Sequence, residues 1–126
     1  MSKEAQNSNA NRKYDLEERT ALFGEMIIEY AKSIPKNVIN NPLISQIVRS
    51  GTSIGANDME ADAAESKKDF KYKISLCKKE SKGTKHWLRM LAKANPEKLE
   101  SGRILWKEAQ ELTLIFSSIL SPKQKQ

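Results

Sequence analysis

Apolar residues recur at three- and four-residue steps along most of the chain, and no segment sustains an alternation of period two. The pattern therefore predicts helices and no strands. Leu16, Phe23, Ile27, Tyr30 and Ile34, with Met26 beside them, form the stripe of a first helix over residues 16–33. Asp15 is placed to be its N-cap, Glu18 completes a capping-box pair, and Pro35 stops it. Asn41 and Pro42 predict the N-cap and first residue of a second helix, whose face carries Leu43, Ile44, Ile47 and Val48. The stretch 49–57 is poor in local helix propensity. It is read as helix nevertheless, to residue 64 or 65, because Gly51 and Gly55 share one face with Ala56 beside them and would admit a close neighbour. A third helix opens at Ser66, with Asp69 as its capping partner, and runs to residue 94, roughly 40 Å at 1.5 Å per residue. Asn95-Pro96 breaks it. The fourth starts at Pro96 or Ser101, carries Leu105, Ala109, Leu112, Phe116 and Ile119, and ends before Pro122.

Four amphipathic helices with short connections predict an all-α fold, an up-down-up-down four-helix bundle. The bundle is expected over residues 15–121, with 1–14 a flexible N-terminal tail and 122–126 a polar C-terminal tail. A chain of 126 residues suits one domain. The single Cys77 excludes an internal disulfide and fits a reducing cytoplasm. It lies in the apolar stripe of its helix, where a small core residue belongs. No apolar run approaches the roughly 20 residues that span a bilayer, and the polar N-terminus carries no signal-peptide pattern. The expectation is a cytoplasmic protein with no membrane contact.

Charge changes the picture more than composition does. The net charge is +6, yet residues 66–93 hold ten Lys/Arg against two Asp/Glu, while residues 15–34 hold two against five. Lys67, Lys71, Lys78, Lys82, Lys85, Arg89 and Lys93 fall almost wholly at three- and four-residue steps. At roughly 100° per residue, all seven lie within roughly 40° of one line on the third helix. The apolar set Phe70, Ile74, Cys77, Thr84, Leu88 and Leu91 clusters about a separate line. A continuous cationic ridge beside a core face can track a phosphate backbone, which makes RNA or DNA the expected partner. The plainer alternative is a solvated face.

The residues of common catalytic and metal sites are largely missing. His86 is the only histidine, and the residues three and four before it, Gly83 and Lys82, cannot ligate a metal. The glycines at 51 and 55 are not followed by the Lys-Ser/Thr of a Walker loop. Asp58, Glu60, Asp62 and Glu65 spread around their helix and read as solvated charge. The expectation is no enzyme, no catalytic residue, no metal and no cofactor.

Two further patterns bear on assembly. Arg49, Ser53 and Asn57 recur along one side of the second helix. With Glu80 on the third helix or Glu60 on the second as partner, they predict a polar network that fixes helix register, the alternative being a ligand site. The third helix also carries Tyr72, Leu76, Gly83, Trp87, Met90 and Ala94 on the flank away from Ile74 and Leu88. An apolar arc that wide predicts a subunit contact through Tyr72, Leu76, Trp87 and Met90. The alternative is that Trp87 and Leu76 cap the bundle edge.

From Phe23 onward the order of segments resembles the 23S ribosomal RNA intervening-sequence protein family. The resemblance rests on Ser33-Ile34-Pro35-Lys36-Asn37, on Gln46-Ile47-Val48-Arg49-Ser50 running into Ser53-Ile54-Gly55-Ala56-Asn57, and on Ser66-Lys67-Lys68-Asp69-Phe70. It continues through Lys73, Lys79-Glu80, Trp87-Leu88-Arg89 and Glu111-Leu112, and covers about residues 15–120. Gly83 and His86 depart from it: the family favours an acidic or helix-forming residue at the first and an aromatic at the second. The resemblance implies an all-α bundle that assembles with itself, in a pentamer. A related group, the accessory variability determinants of diversity-generating retroelements, is basic and pentameric and works with a reverse transcriptase and its RNA. The implied role is a nucleic-acid-binding scaffold. The alternative is an adaptor that partners a reverse transcriptase or other protein without touching nucleic acid.

Overall fold

The computed structural model describes residues 8–122, with side chains from Asp15 onward. It contains four helices: α1 Ser8–Ser33, α2 Asn40–Asp62, α3 Lys67–Ala94 and α4 Leu99–Leu120, with a 3₁₀ turn at Pro96–Lys98 leading into α4. No strand occurs among the described residues. Each helix packs on the next in sequence through a short connection, most extensively α2 on α3 and α3 on α4. The circuit closes where α4 meets α1, much the sparsest of the four seams. This is the four-helix arrangement the apolar periodicity predicts.

The core is assembled from the predicted stripes. Phe23, Ile27, Tyr30 and Ile34 of α1, Ile47 and Ile54 of α2, Ile74, Cys77, Leu88 and Leu91 of α3, and Leu105, Ala109, Leu112 and Phe116 of α4 are all buried. The Cys77 thiol donates to the Ile54 carbonyl at 3.5 Å. Burial, with a smaller push from Asp58, raises it to about 12, so it is an inert core group. Gly51 and Gly55 do bring α1 close: a Cβ at Gly51 would stand 2.8 Å from Ile27 Cγ1, and one at Gly55 would stand 3.5 Å from the Thr20 backbone.

Three boundaries differ from the sequence reading. Helix α1 starts at Ser8, so Asp15 is an interior residue and not its N-cap. No Gly or Pro separates Ser8 from Asp15, and extending an existing helix costs far less than nucleating one. The rest of the expected N-terminal tail, residues 1–7, and residues 123–126 lie outside the described residues. At the start of α2 the capping side chain is Asn37, not Asn41. Its Oδ1 accepts from the amides of Ile39 at 3.0 Å and Asn40 at 2.8 Å, and the helix begins at Asn40, two residues before the expected Pro42. Helix α2 also stops at Asp62, two or three residues before the expected end. Helix α3 keeps its predicted cap, Ser66 accepting from the Asp69 amide at 3.0 Å.

One polar contact ties the two connections at the same end of the bundle. Asn40 and Asn95, both buried, exchange reciprocal side-chain hydrogen bonds of 2.9 Å. Each also donates to a backbone carbonyl, Asn40 to Pro35 at 2.9 Å and Asn95 to Leu91 at 3.0 Å. Buried amides satisfied in this way fix the loops in place.

Candidate nucleic-acid interface

The ridge stands on α3 as one side of a helix whose buried side is Ile74, Cys77, Ser81, Thr84, Leu88 and Leu91. Lys67, Lys71, Lys82, Arg89 and Lys93 are exposed, and Lys78 and Lys85 are half-buried. Among the described residues none of the seven lies within ion-pairing reach of a carboxylate; the cations that do are Arg19, Lys32, Arg49, Lys73 and Arg103. Six of the seven therefore keep their full complement of donors for a ligand. Lys85 is the exception. It donates to Gln110 Oε1, and its ammonium sits 5.2 Å from the centre of the Trp106 ring.

Helix α4 extends this surface in a way sequence reasoning missed. Trp106 is 41 % exposed, and with Arg103 and Lys107 it lines a cleft shared with Leu88 and Arg89 of α3. Arg103 reaches Glu100 at 3.5 Å along its own helix, a weak exposed pair that leaves its charge at the rim. The signal was present: Arg103, Trp106, Lys107 and Gln110 recur at helical spacing on the side of α4 opposite Leu105, Ala109 and Leu112. What it lacked was the side of α3 on which α4 lies.

The structure brings Arg49 and Glu80 together, with Arg49 Nη1 donating to both Glu80 oxygens at 3.1 and 3.2 Å. Ser53 and Asn57 do not join them. Ser53 donates to the Arg49 carbonyl at 2.5 Å and Asn57 to the Ser53 carbonyl at 2.9 Å, each bonding back along α2. The expected network is thus one interhelical pair flanked by local bonds, because a short side chain within a helix reaches the preceding turn first. Arg49 is exposed, so it needs no buried partner set.

On the apolar flank of α3, Tyr72 is 57 % exposed. Leu76, Trp87 and Met90 are half-buried, and Trp87 packs against the core. A second set of exposed apolar side chains lies on another seam of the bundle. Leu22, Met26 and Ile104 are 47 %, 42 % and 62 % exposed and line a groove on the α1–α4 seam. His86 is exposed, with its ring edge-on to Trp87 at 4.9 Å. Among the described residues no three His, Cys, Asp or Glu side chains are grouped to hold a metal ion, and no helix is long and apolar enough to cross a membrane.

Comparison with known proteins fits this architecture. A crystal structure of a protein of unknown function from the S23 ribosomal protein family of Bacteroides thetaiotaomicron is 29% identical, with a TM-score of 0.74. The alignment covers 83% of this chain and 97% of that one. Among curated proteins there is no match. The family model described as the 23S rRNA-intervening sequence protein matches residues 12–118, so the chain belongs to that family.

Proposed function

We propose that this protein is a non-enzymatic, homo-oligomeric scaffold that binds the backbone of RNA or DNA through the α3 ridge. The observation that carries the reading is a row of seven cations on one helix, six without a partner and none facing a carboxylate among the described residues. Partnerless surface cations of one sign repel each other, and a polyanion relieves that repulsion while releasing its own counterions. Contacts along the ridge are to phosphates, so they position the nucleic acid without reading its sequence. The family resemblance adds the expectation of a ring of five copies serving a reverse transcriptase. A ring would multiply the basic field.

A salt-titrated gel shift with structured RNA and DNA tests the reading. Binding weakens as salt rises, and each lost duplex phosphate contact lowers the logarithmic slope by about 0.9. The variant Lys71→Glu/Lys78→Glu/Lys82→Glu abolishes binding and keeps its helicity. Lys85 is left in place because it also joins α3 to α4. Unchanged affinity in this variant removes the proposal.

A second reading is favoured by the exposed apolar side chains: an adaptor that grips a reverse transcriptase or other protein, with the ridge steering association. Capture of a partner that survives nuclease and high salt supports it over the first.

A further inference from the structure

The cleft between α3 and α4 has a volume of about 380 Å³, within the range of small-ligand sites. Its floor is apolar: Leu88 and Ala92 from α3, Leu99 and Gly102 from α4. Three cations stand around it, Arg89 from the ridge and Arg103 and Lys107 from α4. Trp106 forms part of the wall and keeps 41 % of its surface exposed. Lys85, held by its hydrogen bond to Gln110, sits over the same ring.

A purely apolar ligand has no use for that rim, and a bare phosphate has no use for that floor. The two together fit a planar, apolar-faced group that carries negative charge close by. We propose that the cleft is a base-binding subsite for single-stranded nucleic acid, with one splayed base stacked against Trp106 and its flanking phosphates held by Arg89, Arg103 and Lys107. This rests on the reading of the ridge as a backbone track. Arg89 belongs to both, so the strand that follows the ridge arrives at the cleft. A duplex keeps its bases paired and stacked and cannot place one there, whereas a single strand can. The cleft thus adds to the ridge a preference for unpaired segments. It adds no preference for one base, because every base offers a stacking face.

Trp87→Phe leaves Trp106 as the sole tryptophan, since the chain has two. In that protein a short oligouridylate quenches the remaining fluorescence saturably. In the otherwise unaltered chain, Trp106→Ala lowers oligouridylate affinity by roughly five- to a hundredfold. It leaves affinity for a short RNA duplex unchanged, while Trp106→Phe keeps most of the single-strand binding. Binding of oligouridylate by gel shift with no change in Trp106 emission overturns the subsite and leaves the ridge reading standing. Equal loss of single-strand and duplex affinity in Trp106→Ala also overturns it, since the tryptophan would then merely support the ridge. Binding of neither nucleic acid by the unaltered protein overturns both readings. Quenching by a polyglutamate peptide where oligouridylate gives none assigns the cleft to an acidic protein and overturns the subsite. Should Trp106→Ala fail to fold, the quenching experiment decides alone.

Discussion

Gly83 lies within α3, and nothing stands within 4 Å of where its Cβ would be. Its backbone is ordinary right-handed helix, so nothing in this chain requires a glycine there. Gly83→Ala is expected to stabilise the protein by about 0.5–1 kcal/mol, by reducing the freedom of the unfolded chain. Urea unfolding checks it: the midpoint rises and the slope stays constant. Gly51→Ala goes the other way. Its Cβ would meet Ile27 Cγ1 at 2.8 Å and Cγ2 at 2.9 Å, and the overpacking is expected to cost about 1–3 kcal/mol. The sequence distinguished these glycines correctly in kind, since Gly51 and Gly55 recur on one face and Gly83 stands alone. It could not show the Asn40–Asn95 exchange. That pair joins positions 55 residues apart, and only the meeting of the two connections at one bundle end makes them partners.

At the scale of helices, the α1–α4 seam is the thin place in the fold, and Arg19 clasps it. Its guanidinium donates to Glu108 in a fork of 2.7 and 2.9 Å and to Glu111 at 2.6 Å. The Glu108 bonds, then those of Glu111, raise the already high pKa of Arg19, against an opposing effect of burial. The clasp is half in solvent, so screening reduces its strength. Arg19→Ala is expected to lose about 1–2 kcal/mol in low salt and most of that difference near 1 M salt. Thermal unfolding of both proteins across a salt series measures this, and a difference that ignores salt would mean packing rather than charge holds the seam. The clasp was not legible in the chain, and of the Trp106 cleft only the α4 side was. Helix faces follow from periodicity, but which flank of α3 receives α4, and which turn of α1 meets α4, depends on how the helices pack. The ridge itself was legible because all seven of its residues share one helix. For the same reason the Arg49–Glu80 pair was half legible: its α2 side came with the periodicity, its α3 partner only as a candidate.

At the scale of the whole molecule, the oligomeric reading makes a demand that the surface can meet. A closed ring of more than two copies joins unlike patches, the front of one copy against the back of the next. Two apolar patches lie on different sides of this bundle: the α3 flank around Tyr72, and the α1–α4 groove of Leu22, Met26 and Ile104. The unaltered protein is therefore expected to scatter light as a multiple of 14.3 kDa. Tyr72→Glu and Ile104→Glu each replace an exposed side chain, so the fold survives while one patch of every interface is lost. Each variant alone should run as a monomer. Mixed together, they should recover a dimer and nothing larger, because each still offers the patch that the other has lost. A dimer from the mixture is the signature of unlike patches meeting. A mixture that stays monomeric, or a single variant that keeps the full mass, would show that these two surfaces do not pair.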